Sequence, residues 1–280
     1  MHPLLFHFGH IGVPTYGVCM ALALLAALAV SVVAAKRAGL GAEKVWNLDL
    51  IVILTALFAG RLLMIMMHPH LFRSHPFWLL GLLTLPNVWF ALLGALAGFL
   101  AGGLYVLAEG LPLLKTADVL APAVAIAFCL SRIGSFCAGS AWGTPTHLPW
   151  GVVYRSPVAY LWYRVPLGVT LHPVQIYDAM ASLGLFGLLM WAGWRRGSRR
   201  DGEIAGAWLF LYGVIRFFLE FLRGDPGREP LLGGALTLAQ LLSIGAVVMG
   251  GLLWLRSGPA FVAPQAVPAE IADPGRADHQ

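Results

Sequence analysis

Tyr212, Arg216 and Glu220 recur at i, i+4 and i+8 in an otherwise apolar run, with Arg223 one turn further on. On a helix these four side chains form one polar stripe, and Glu220 is placed to pair with Arg216 or Arg223 and fix a guanidinium's orientation. A second constellation, His172-Pro173-Val174-Gln175-Ile176-Tyr177-Asp178, sets Gln175 and Asp178 three residues apart, on a shared helical face. A third runs Ser131-Arg132-Ile133-Gly134-Ser135-Phe136-Cys137-Ala138-Gly139-Ser140-Ala141-Trp142-Gly143, joining an arginine to glycines that permit a sharp turn or a close backbone approach. The planar guanidinium fork matches phosphate oxygens, so the chemistry these residues suit is capture of a phosphate. Each stretch also has a plainer reading from spacing alone. Arg132 suits a side chain snorkelling to headgroups from a helix end, the His172 group suits a helix cap with an interfacial tyrosine, and Glu220 suits a structural ion pair.

The surroundings of the arginines sharpen the first reading. Arg61, Arg132 and Arg216 lie within LTALFAGRLLMIMM, VAIAFCLSRIGSFCAG and WLFLYGVIRFFLEFL. An arginine at a bilayer centre costs roughly 2.5–3.5 kcal/mol on insertion scales, so a chain keeps such residues where they face a polar cavity. Two weaker signals are Tyr16-Gly17 in the first apolar run and Asp49 with Gly60-Arg61 in the second. Asp49 and Arg61 are too far apart on one straight helix to pair directly.

The elements that position these residues are membrane spans. Of 280 residues 59% are apolar and 11% charged, where a soluble domain carries roughly 25% charged. The chain reads as an all-α polytopic membrane protein of one domain, 1–256. Seven windows are long and apolar enough to cross a bilayer: 14–35, 47–67, 88–108, 117–137, 174–194, 203–222 and 234–255. The N-terminus has no basic leader region or small-residue cleavage site, so its first apolar run reads as a span rather than a signal peptide. Three cysteines (Cys19, Cys129, Cys137) have no metal-ligand spacing and read as buried thiols.

Counting basic residues between spans orients the bundle. One side holds ten, among them Lys36, Arg37, Lys44, Lys115 and the Arg195-Arg196-Gly-Ser-Arg199-Arg200 run; the other holds five, Arg73, Arg155, Arg164, Arg223 and Arg228. The positive-inside rule puts the N-terminus outside and the C-terminus in the cytoplasm, so the net charge of +5 belongs to topology and not to nucleic-acid binding. On the outer side, 68–87 reads as an arm in the membrane interface, and 138–172 as a small extracytoplasmic cap whose alternation hints at short strands. Residues 257–280 read as a disordered cytoplasmic tail.

Taken in order, the motifs resemble those of the bacterial prolipoprotein diacylglyceryl transferase family: Tyr16-Gly17, Gly60-Arg61, the stretch from Arg132 to Gly143, PWGVVY in the cap, His172-Pro173 to Tyr177, Tyr212 to Arg223, and the Gln240 region of the last span. The resemblance covers nearly the whole chain. It implies transfer of the diacylglyceryl group of phosphatidylglycerol to the lipobox cysteine of a preprolipoprotein, at the outer side of the bacterial inner membrane. A thioether forms and glycerol-1-phosphate leaves. It implies that Arg132 and Arg216 hold the phosphate and stabilise charge on the leaving group, and that His172 or Tyr212 deprotonates or orients the thiol. Tyr16, Arg61, Gln175, Tyr177 and Gly143 would complete the phosphatidylglycerol site, supported by Glu220, Arg223 and Ser135. No metal or organic cofactor is implied; the partners are phosphatidylglycerol, the signal peptide and membrane lipids.

The chain also departs from that pattern. Ser131, Ser135, Ala138 and Ser140 stand where the family signature usually has Gly, Asn, Asn and Glu, and Leu93 stands where a His or Tyr is common. A diverged paralogue with another acceptor, and a non-enzymatic phospholipid-binding protein, are the alternatives these departures raise. A transporter needs a polar path through the whole bilayer, whereas the polar residues here cluster toward one side.

Overall fold

The computed structural model describes residues 2–8, 11–69, 88–195, 201–226, 228, 230–231 and 234–256. Seven long apolar helices cross the molecule: α1 (Thr15–Ala38), α2 (Ala42–Met67), α3 (Val88–Ala108), α4 (Leu113–Ala138), α6 (Val174–Arg195), α7 (Glu203–Leu219) and α8 (Leu238–Arg256), with a short α5 (Pro157–Tyr163) between α4 and α6. They coincide with the seven windows of the sequence to within five residues at each end; α1, α2 and α4 run further, while α7 ends earlier and α8 starts later. A 3-10 turn, Glu220–Leu222, extends α7. The interfacial arm, apart from His68 and Pro69, the 196–200 basic run and the 257–280 tail lie outside the described residues.

Small residues decide which helices touch. With no hydrophobic drive between helices in lipid, close backbone packing takes its place. On α3, Gly94, Gly98 and Gly102 form one stripe facing α2, and a Cβ on Gly94 would stand 2.5 Å from the Ala56 carbonyl oxygen. Buried alanines (Ala121, Ala125 and Ala205) join α4, α6 and α7 with Leu189. Polar groups bind helices at the end opposite the site. The Ser31 hydroxyl donates to Asp49, tying α1 to α2, which is how Asp49 is satisfied without Arg61. Asp118 on α4 accepts from the N–H groups of Gly202 at 2.7 Å and Ala205 at 2.8 Å, so the orphan donors opening α7 are capped by a neighbouring helix.

Three two-stranded ribbons decorate the bundle. Before α1, β1 (Leu4–Phe8) pairs with β2 (Ile11–Pro14), a hairpin the sequence reading does not contain. In the cap, β3 (Val152–Val153) pairs with β4 (Thr170–Leu171), as the alternation there predicts. The intervening SPVAYLWY instead forms α5, because Pro157 at its first turn is pre-set for helix. After the 3-10 turn, β5 (Pro230–Leu231) pairs with β6 (Leu236–Thr237).

Candidate functional site

The candidate side chains gather where α4 and α7 end and α6 and α8 begin. Backbone hydrogen bonds join the three motif stretches there. Thr144 N–H donates to the Leu222 carbonyl at 2.8 Å, Gly224 N–H to Trp142 at 3.0 Å, and His172 N–H to Thr144 at 2.9 Å. Gly143 lies at their meeting point: a Cβ there would come 2.3 Å from the His172 carbonyl oxygen. The end of the Arg132 stretch, the start of the His172 stretch and the end of the Arg216 stretch are thereby one structural unit.

Within it, charges interlock. Arg132 Nε lies 2.7 Å from Asp178 Oδ2, an ionic contact whose angle does not make a directed hydrogen bond. Asp178 Oδ1 is buried with no hydrogen-bond partner among the described residues. Arg132 also meets the Tyr212 hydroxyl and lies in the field of Tyr16. Tyr212 is held by stacking on Trp208, 5.6 Å between ring centroids with planes 3° apart, and by Phe128 at 5.0 Å. Tyr16 reaches the site because α1 runs close against α4: a Cβ on Gly134 would lie 2.6 Å from the Cys19 Cβ.

Glu220, 0% exposed, organises the other half. Its Oε2 takes Arg216 at 2.7 Å and Arg223 at 3.2 Å, and Oε1 faces Arg228 at 3.7 Å. Arg223 is further gripped by Asp225, Nε to Oδ1 at 2.8 Å and Nη2 to Oδ2 at 2.7 Å. Burial lowers the affinity of Arg223 for its proton, but hydrogen bonding and charge from Asp225, then Glu220, win and hold it above its ordinary pKa. Four arginines (132, 216, 223, 228) thus meet three carboxylates (Asp178, Glu220, Asp225), leaving one positive charge in excess among the described residues. Such a centre favours an anion.

A second group flanks the cap. His172 Nδ1 stands 3.5 Å from the Tyr177 hydroxyl, which accepts from Trp150 Nε1 at 2.8 Å. Gln175 is buried as a brace: its amide donates to the Ser140 carbonyl at 2.7 Å and to the Tyr154 hydroxyl at 3.3 Å. Burial pushes the Tyr154 phenol well above its usual pKa, against the opposing pull of Gln175. Ser135 is buried, and its carbonyl accepts the N–H groups of Gly139 and Ser140 that end α4.

The structure therefore brings together Arg132, Arg216, Tyr212, Glu220, Arg223 and Tyr16, with His172, Tyr177 and Gly143 alongside. Arg61, buried on α2, rests its guanidinium against Met64 Sδ at 3.5 Å. Leu93 is exposed on α3. Sequence reasoning passed over Asp178 as the partner of Arg132, and over Asp225, Thr237 and Trp150. Thr237 was findable: Thr237-Leu238-Ala239-Gln240 is a capping box ahead of an apolar run.

A bundle of seven apolar spans with an arginine–carboxylate cluster at one end, positively biased among the described residues, defines a polytopic membrane protein. The comparisons go further. The family model described as prolipoprotein diacylglyceryl transferase matches residues 3–256. Proteins named phosphatidylglycerol--prolipoprotein diacylglyceryl transferase align along most of their length. That of Clostridium tetani is 31% identical over 251 residues, covering 89% of this chain and 95% of its own. That of Geobacter sulfurreducens is 31% identical over 261 residues, covering 89% and 92%. That of Solidesulfovibrio magneticus is 32% identical over 261 residues, covering 90% and 92%. The chain belongs to the prolipoprotein diacylglyceryl transferase family, a bacterial family of transferases, and its seven apolar helices make it a multi-pass inner-membrane protein.

Proposed function

We propose that this protein transfers the diacylglyceryl group of phosphatidylglycerol to the thiol of a lipobox cysteine, at the outer face of the membrane, with the N-terminus outside. The observation that carries the reading is the convergence of Arg132 and Arg216 around Tyr212, each backed by its own buried carboxylate, in a chain whose relatives bear that activity in their names.

The phosphate of the lipid binds between the two guanidiniums. Held by Asp178 and Glu220, they present fixed donors where charge grows on the leaving group, which is how preorganised dipoles lower a barrier. The sulfur–carbon bond forms as the carbon–oxygen bond to phosphate breaks, and glycerol-1-phosphate leaves with the electron pair. The thiol proton passes to His172, and Tyr212, beside Arg132, orients the thiol. Tyr16 and Tyr177 border the headgroup. The excess of positive charge among the described residues suits an anionic phosphodiester. The nucleophilic thiol belongs to the acceptor peptide.

Ser135, Ala138 and Ser140 in place of two amides and a carboxylate, with the exposed Leu93, favour a second reading, a diverged transferase with the same lipid donor and another acceptor. Purified protein given phosphatidylglycerol and a lipobox peptide, followed by mass measurement of the peptide, decides between them. A diacylglyceryl adduct on the cysteine establishes the first reading. No adduct from a folded protein that still retains phosphatidylglycerol overturns the first reading and directs the search to another acceptor.

A further inference from the structure

The cap between α4 and α6 exposes apolar side chains that its packing does not explain. Helix α5 leaves three consecutive residues open, Tyr160 at 45%, Leu161 at 66% and Trp162 at 48%, while Ala159 is buried in the cap core. Consecutive helical residues are set about 100° apart, so these three cover more than half the circumference. A helix apolar over most of its surface needs an apolar medium around it, and α5, seven residues long, is too short to span a bilayer. Trp150 is likewise 57% exposed, while its indole N–H bonds the Tyr177 hydroxyl, so the apolar surface borders the arginine site.

The charge of the cap selects the medium. Residues 139–173 contain Arg155 and Arg164 and neither Asp nor Glu. Both arginines are exposed, and Arg164 lies over the Tyr160 ring at 5.7 Å. By contrast, the connection from α7 to α8 carries Asp225, which grips Arg223. Tryptophan and tyrosine settle at the headgroup level of a membrane, and each exposed arginine near an anionic surface strengthens binding roughly fivefold. We infer that the cap folds back onto the bilayer, with Trp150, Tyr160, Leu161 and Trp162 immersed among the headgroups and Arg155 and Arg164 collecting anionic lipid at the lip of the site. The occupant is a lipid surface. It stands apart from the transferase reading, because immersion does not depend on turnover.

The test labels Leu161→Cys with an environment-sensitive fluorophore, in a background with Cys19, Cys129 and Cys137 changed to alanine. The full-length protein is placed in nanodiscs of phosphatidylcholine with or without phosphatidylglycerol. Immersion predicts a blue-shifted label quenched by spin-labelled lipid and shielded from acrylamide. It also predicts stronger lipid quenching with phosphatidylglycerol present, a difference abolished by Arg155→Gln with Arg164→Gln. Full acrylamide quenching with no lipid quenching overturns the inference. So does shielding that arises only on adding a lipobox peptide, which would make the surface a polypeptide site.

Discussion

The Thr237 hydroxyl donates to Glu220 Oε1 at 3.2 Å while Arg216 takes the opposite carboxylate oxygen at 2.7 Å. The same hydroxyl accepts the Gln240 N–H at 3.2 Å, and Gln240 Oε1 returns a bond to the Thr237 N–H at 3.0 Å. The capping box that starts α8 is thus bonded to the carboxylate that aims a site arginine on α7. Two helices share one polar device, and the start of the last span takes part in the geometry of the site.

Removing that hydroxyl tests the connection. Thr237→Val keeps the shape but strips Glu220 of a donor and α8 of its cap, which costs about 1–3 kcal/mol of stability. Transfer should fall about tenfold, with Thr237→Ser near the parent. Thermal unfolding in detergent, read beside the transfer rate, checks both; a serine variant as impaired as the valine one would show that shape matters and the hydroxyl does not.

Arg216→Lys keeps a positive charge beside Glu220 but not a two-pronged donor. The expected outcome is a folded, membrane-inserted protein whose transfer rate falls about tenfold or more, because a point charge cannot reproduce the fork. Parent-like turnover would make Arg216 a purely structural cation.

Arg132→Ala should abolish transfer and, by leaving Asp178 buried without its partner, destabilise the protein by about 3 kcal/mol. Pairing it with Asp178→Asn should restore the unfolding temperature without restoring activity. Transfer by the double variant would remove Arg132 from the phosphate site.

Gly134→Ala forces a Cβ to within 2.6 Å of the Cys19 Cβ, so α1 must move from α4 and carry Tyr16 away from Arg132. Overpacking of this kind costs about 1–3 kcal/mol. Cys19→Gly, which removes the opposing atom, should rescue both unfolding temperature and activity in the double variant. Failure of that rescue would locate the strain elsewhere.

The seven spans and the polar stripe of α7 were legible in the sequence, because they rest on local properties: runs of apolar residues, and the 3.6-residue period that puts Tyr212, Arg216 and Glu220 on one face. The partner of Arg132 was not legible. Arg132 and Asp178 stand 2.7 Å apart across two helices, and no local pattern measures a distance between elements. Nor could spacing show that Arg61 would meet Met64 of its own helix, or that the Gln175 amide nitrogen would reach Ser140 and Tyr154. Helix packing in a membrane is set by where small residues let backbones meet, and that choice is made among all seven helices at once. The sequence by itself determined that arginines would lie within apolar spans; only the tertiary structure decided with which carboxylates they pair, because those partners sit on other helices and turns.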